Sequence, residues 1–276
     1  MTTFQALVYA IIQGLSEFLP ISSKAHLILF PYLIGWQAPS GALMAALTFG
    51  SFLALLIYFR HDWASMISCF LQVIIFRKRP MTLDERMPLF LGITSLPVAL
   101  AAYYFKDRIT EMEWSPVFVA GILALSGIPL YFADSINRKL KGMFDWNWLS
   151  ALIIGLTQAS ALFPGWDSIS AILLGAFFLD FKREPAAKYA YFSLTPLIFA
   201  KWLSTMKEVD FHSSSPSTDL SWLSFGVTLV VTLFVGLLTI GGFLKHMQHK
   251  GVGQTVAYRW VLAIVVFIFV WVRNYL

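Results

Sequence analysis

Gln13-Gly-Leu-Ser-Glu17-Phe-Leu-Pro20-Ile-Ser22-Ser23-Lys24-Ala-His26 sets a carboxylate, serine hydroxyls, an ammonium and an imidazole inside an otherwise apolar run. An ionisable group at membrane depth must be neutralised, paired or hydrated, so such a cluster marks a functional site. Pro20 lacks a backbone donor and interrupts a helix, and broken backbone at that depth survives only where protein buries it or it lines a wet cavity.

The rest of the chain is apolar enough to place this cluster in a membrane. Of its 276 residues, 58% are hydrophobic and 13% charged, with a mean hydropathy of +0.71. This is far from the composition of a soluble domain and predicts an all-α polytopic membrane protein. The net charge of +5 does not point to nucleic acid, because the basic residues cluster between apolar runs, where topology accounts for them. Cys69 is the lone cysteine, which excludes an intrachain disulfide or a cysteine metal site. The N-terminus lacks a basic region ahead of its apolar stretch and does not resemble a cleavable signal.

Six apolar runs, at 42–59, 88–105, 116–132, 187–205, 222–243 and 256–272, approach the roughly 20 residues needed to cross a bilayer. Two more, 4–34 and 148–179, are interrupted at Pro20 and Pro164-Gly165 and predict re-entrant helix-loop-helix hairpins. Arg60, Arg77, Lys78, Arg79, Arg86, Arg138, Lys139, Lys141, Lys245 and Lys250 mark cytoplasmic loops. The turn at 106–113 and the loop at 207–221, with Glu208, Asp210, His212 and Asp219, are then external, as are both chain ends. The two hairpins enter from opposite faces. A shift of 144 positions lays Pro20 on Pro164, Ser16 on Ser160 and Lys24 on Ser168, so the single membrane domain, 1–276, divides into inverted-repeat halves of about 1–135 and 136–276. Residues 62–76 suit an interfacial helix or a short seventh span. Trp114, Trp146, Trp148, Trp222, Trp260, Trp271 and Tyr275 sit where aromatic anchors belong.

Gln13 and Glu17 share a helix face and suit a divalent cation or a phosphate-bound water. Ser22, Ser23 and Lys24 outline an anion site at a helix start, although Ser22 also suits a cap. His26 suits a general acid or base or a structural donor. In the second hairpin, Pro164-Gly165-Trp166-Asp167-Ser168-Ile169-Ser170 again puts hydroxyls and a carboxylate after a proline. Asp167 fits three roles: metal ligand, lysine partner or helix cap.

Gln13-xxx-Glu17-Phe-Leu-Pro20-Ile-Ser22-Ser23 with His26, together with Tyr258-Arg259 before the last run, resembles the undecaprenyl pyrophosphate phosphatases, the bacitracin-resistance membrane proteins, over essentially the whole chain. The resemblance implies a homodimer in the bacterial inner membrane with a pocket open to the outside. It implies hydrolysis of a polyprenyl diphosphate to the monophosphate with Mg²⁺ or Ca²⁺. By that resemblance Glu17, Ser23 and His26 are catalytic and Gln13, Ser22, Lys24, Ser168, Ser170 and Lys188 contact substrate, with Glu17 and Asp167 on the metal.

The second motif departs from the family's Pro-Gly-x-Ser-Arg-Ser-x-x-Thr: Ser168 replaces the arginine, Asp167 and Ile169 the flanking serines and Ile172 the threonine. Lys24 replaces a threonine and Lys188 a glutamate. Loss of one charge-stabilising donor costs on the order of 100- to 1,000-fold in rate. Either Lys24 and Lys188 restore the charge, or the chain binds or transports a lipid phosphate without hydrolysing it.

Overall fold

The structure, a computed structural model, describes residues 2–112, 114–208 and 221–275. Glu113 and residues 209–220 of the expected external loop, including Asp210, His212 and Asp219, lie outside the described residues. Among the described residues the fold is all helix, with one isolated β-bridge between Lys141 and Phe181. The helices are α1 (Thr3–Ser16), α2 (Ser23–Ile34), α3 (Gly41–Tyr58), α4 (Arg60–Ile75), α5 (Leu83–Glu111), α6 (Pro116–Ile136), α7 (Trp148–Ala159), α8 (Ser168–Phe178), α9 (Arg183–Glu208), α10 (Trp222–His249) and α11 (Gly253–Tyr275).

Local chemistry sets most boundaries. Thr2, Ser40, Thr82, Ser115, Asn147, Asp167 and Ser221 each cap a helix start by accepting a backbone N–H, the role for which short polar side chains are preferred. Gly35, at φ +71°, closes α2 in the left-handed conformation that glycine adopts without penalty.

Among the described residues, five helices are long and apolar enough to cross a membrane: α3, α5, α6, α10 and α11. The chain is therefore a multi-pass membrane protein. The sixth expected span falls within α9, which forms but is less apolar, because Lys188 and Lys201 interrupt it. The expected turn at 106–113 is not a turn as far as Glu111, since α5 continues through it. The segment at 62–76 forms α4, which buries Met66 and exposes Ile67, Leu71 and Ile74. Trp148, Trp222, Trp260 and Trp271 are exposed, as anchors would be. Trp146 is not: it is buried, stacked between Phe181 and Tyr189 with ring centroids 3.8 and 3.9 Å away.

Helices α1, α2, α7 and α8 have 14, 12, 12 and 11 residues. At 1.5 Å per residue they are roughly 17–21 Å long, too short for a core of about 30 Å. They pack as two hairpins, α1 on α2 and α7 on α8, with α1 held by α10 and α7 by α5.

Ion pairs fasten the basic side. The Arg183 guanidinium donates to both oxygens of buried Asp134 at 2.6 and 2.9 Å, and Val252 N–H donates to the same carboxylate at 3.2 Å. This ties α6 and α9 to the α10–α11 connection. Between α8 and α9, the Arg138 side chain and backbone N–H donate to Asp180 and hold its carboxyl below the usual carboxylate range, so the clasp stays charged at neutral pH.

Candidate active site

The two hairpin tips touch. Gly165 N–H donates to Ser22 Oγ at 3.2 Å, across the 143 positions that separate them in the chain. Gly165 has φ +100°, and a Cβ there would lie 2.8 Å from Leu123 N, so both the turn and the close approach require glycine. Ser22, at φ +68°, is strained for an L-residue. Its Oγ also caps α2 through Ala25 N–H at 3.4 Å. Strain of this kind persists where surrounding structure enforces it, and here the opposite hairpin does so.

Arg259 of α11 pins both tips from behind. Fully buried, it donates from Nε to Pro20 O at 2.8 Å, from Nη1 to Ser126 Oγ at 2.7 Å, and from Nη2 to Asp167 Oδ2 at 2.6 Å and to Ser170 Oγ. Ser126 in turn donates to Gly165 O at 3.0 Å, and Tyr191 donates to Phe18 O at 2.8 Å. The carbonyls exposed by the helix breaks are thus satisfied by buried side chains, as a low-dielectric interior demands.

In front of the tips lies a cavity of about 430 Å³ lined by Glu17, Ser22, Ser23, Lys24, Trp166, Asp167, Ser168, Ile169 and Lys201, with apolar walls from α5 and α9. First-turn N–H groups have no intrahelical acceptor, and α2 and α8 both begin at residues that line this space. Two positive helix ends therefore converge on one volume, an arrangement that favours an anion. Trp166 Nε1 adds a buried donor with no partner among the described residues. Ser23 Oγ has none either, and Glu17 accepts from Gln13 Nε2 at 3.0 Å. Gln13 also donates to Ser51 Oγ at 3.3 Å and leaves its own Oε1 as a buried acceptor without a partner.

Several expected site residues face elsewhere. Successive helical residues are about 100° apart, so residues two apart point to nearly opposite sides. Lys24 lines the cavity and donates to Leu162 O at 3.3 Å, whereas His26 turns its back. Its Nδ1 lies 2.8 Å from Ser22 O and its Nε2 2.7 Å from the Tyr258 hydroxyl, which fixes the Nδ1–H tautomer. It borders a separate, mostly apolar cavity with Ser16, Gln254 and Tyr258.

Likewise Ser168 lines the cavity while Ser170 faces Arg259 and donates to Asp167 Oδ2 at 2.7 Å. Asp167 caps α8 through Ser170 N–H at 2.8 Å and pairs with Arg259. Of its three roles the cap is filled, and its ionic partner is an arginine rather than a lysine. Lys188 does not reach this space: it lies near the start of α9 and pairs with Asp62 of α4 at 2.7 Å. The cation that α9 does bring to the cavity is Lys201, near the other end of that helix. Its signal was a second lysine, after Lys188, in the 187–205 run.

The fold and site define a multi-pass membrane protein with a chamber lined by the tips of two helical hairpins and by two helix starts. The comparisons agree on its relatives. Residues 6–265 match the family described as Bacitracin resistance protein BacA, and the chain belongs to that family. It is similar to the undecaprenyl-diphosphatase of Caldicellulosiruptor bescii, with 34% identity over 275 residues and 99% of each chain covered. It is also similar to that of Pelotomaculum thermopropionicum, with 32% identity over 275 residues, 100% of this chain and 99% of the relative.

Proposed function

We infer that the chain is a polyprenyl-diphosphate phosphatase: it hydrolyses a lipid diphosphate, of the undecaprenyl class acted on by its relatives, to the lipid monophosphate and inorganic phosphate. The observation that carries this is the convergence of two helix N-termini, Ser23, Glu17 and two lysines on one chamber with apolar walls. The charged end suits a diphosphate and the walls suit a prenyl chain.

In the proposed reaction Ser23 Oγ attacks the terminal phosphorus, its proton passes to Glu17, and the bridging P–O bond breaks to release the lipid monophosphate. Water then attacks the phosphoserine, frees inorganic phosphate and returns the serine hydroxyl. Gln13 orients Glu17. The chain's part is mostly positioning and charge stabilisation, as phosphoryl transfer requires. His26 and Ser170 have no direct part, because both brace the hairpins against α11.

A Mg²⁺ ion fits this site only as a companion of the substrate. It binds through one or two carboxylates plus substrate phosphates, and Glu17 is the lining carboxylate left free, beside the orphaned Gln13 Oε1. Asp167 is spent on Arg259, and no cluster of three His, Cys, Asp or Glu occurs among the described residues. When bound, the ion would neutralise diphosphate charge.

Lys24 and Ser168 face the chamber, and His26 and Ser170 face adjacent residues of α11, Tyr258 and Arg259. Both pairs are related by the 144-position shift, which supports an inverted repeat of two opposed re-entrant hairpins with α9 as a sixth, partly polar span. The chamber walls at Val98–Ala102 of α5 and Leu194–Lys201 of α9 lie roughly 15–30 Å along each helix from its basic-side start. With the basic loops inside, the chamber opens outward from a bacterial plasma membrane.

The test is release of phosphate from undecaprenyl diphosphate by the purified protein in detergent with Mg²⁺. Turnover that EDTA abolishes without lowering the apo thermal midpoint is expected. Tight binding of the lipid without any phosphate release, under Mg²⁺ or Ca²⁺, would instead identify a binder or transporter.

A further inference from the structure

The chamber's charges do not balance. Among the described residues, four ionisable side chains line it: Glu17, Lys24, Asp167 and Lys201. Asp167 is neutralised from behind by buried Arg259. None of the ion pairs among the described residues includes Glu17, Lys24 or Lys201. Two ammonium groups therefore face one free carboxylate in a space with mostly apolar walls, and they come from separate elements, the first turn of α2 and the far part of α9. An uncompensated cation in such surroundings is costly unless an anion joins it. The unpartnered Trp166 N–H and the two helix starts ask for the same occupant.

We propose that Lys201 is a substrate-specificity residue that, with Lys24, grips the diphosphate from two sides and separates it from the monophosphate product. This rests on the phosphatase reading and adds a residue and a selectivity to it. A diphosphate offers a second phosphoryl group and one more ionisable oxygen than a monophosphate, so it can satisfy both ammonium groups at once. The monophosphate leaves one of them unmatched, which favours product departure. An ammonium is a point charge that an arginine can replace in charge though not in reach. A guanidinium introduced at Ser168, which lines the chamber from the other hairpin, would supply the missing charge from another direction.

The experiment measures binding rather than turnover, so it stands apart from the phosphatase assay. Farnesyl methylenediphosphonate, which cannot be hydrolysed at its bridge, and farnesyl monophosphate are titrated onto detergent-solubilised wild type, Lys201→Met, Lys201→Arg and the double variant Lys201→Met/Ser168→Arg. Hydrogen bonds to charged groups are worth about 1.5–3 kcal/mol, or roughly ten- to a hundredfold in affinity. Lys201→Met is expected to lose that much for the diphosphonate and less than about threefold for the monophosphate, while Lys201→Arg and the double variant retain most diphosphonate affinity. Undiminished diphosphonate binding by Lys201→Met overturns the proposal. So does an equal loss for both ligands, or an equal loss in Lys201→Met and Lys201→Arg accompanied by a lower thermal midpoint, which would mark Lys201 as a packing residue. Absence of phosphate release by the wild type would remove the phosphatase reading and leave the binding result to decide the role of Lys201.

Discussion

Arg259→Ala is expected to lower the stability of the detergent-solubilised protein by about 3–5 kcal/mol, the range seen when one partner of a buried ion pair is removed, and to abolish phosphate release. The size of the effect follows from what the guanidinium holds. It is fully buried and joins Pro20 O of one hairpin, Asp167 and Ser170 of the other, and Ser126 of α6. Truncation leaves the Asp167 carboxylate unpaired in the interior and frees the Pro20 carbonyl at the helix break. Asp167→Asn in the Arg259→Ala background is expected to recover part of the stability, because the stranded charge is then gone, but not activity, because the tips remain unpinned. Thermal unfolding of the two variants measures both effects, and a midpoint for Arg259→Ala within a degree of wild type would contradict this account of the clasp.

Ser23→Ala is expected to reduce phosphate release by about a thousandfold or more, as loss of a nucleophile does, with little change in thermal stability. Ser23 Oγ makes no hydrogen bond within the protein among the described residues, so the fold loses nothing with it. It stands at the first helical position of α2, at the edge of the strained Ser22 turn, and lines the same chamber as Glu17. The contrast between the two variants is diagnostic: Arg259→Ala removes the scaffold and the chemistry together, Ser23→Ala the chemistry alone. Turnover by Ser23→Ala within tenfold of wild type would transfer the nucleophile's role to water.

Much of this was legible in the sequence because polar residues and prolines stand out against apolar surroundings. Pro20, Pro164-Gly165 and Glu17 marked both helix breaks and the chamber between them. Facing was harder to read. His26 and Ser170 looked like site residues by proximity in the chain, but each lies two positions beyond a chamber-facing residue and so turns toward α11. Lys188 looked like the compensating cation because it stands where the family carries a glutamate. Its partner, Asp62 of α4, is 126 positions away, a distance no local pattern reveals. Lys201 was hidden for the opposite reason: it lies within an apolar run read as a plain span, and only the register of α9 brings it to the hairpin tips. Arg259 was visible only as half of a Tyr-Arg pair, since its partners are spread over positions 20 to 170.

In the proposed function a lipid diphosphate occupies the chamber between the two hairpin tips. Cys69 is the lone cysteine, so Cys69→Ser/Ser168→Cys carries a single thiol on the chamber wall. Its modification by a membrane-impermeant methanethiosulfonate reagent can be followed in intact cells with and without farnesyl methylenediphosphonate. Labelling from outside is expected, slowed at least tenfold by the diphosphonate and not by farnesol. Labelling unaffected by the diphosphonate, or confined to the cytoplasmic side, would contradict it.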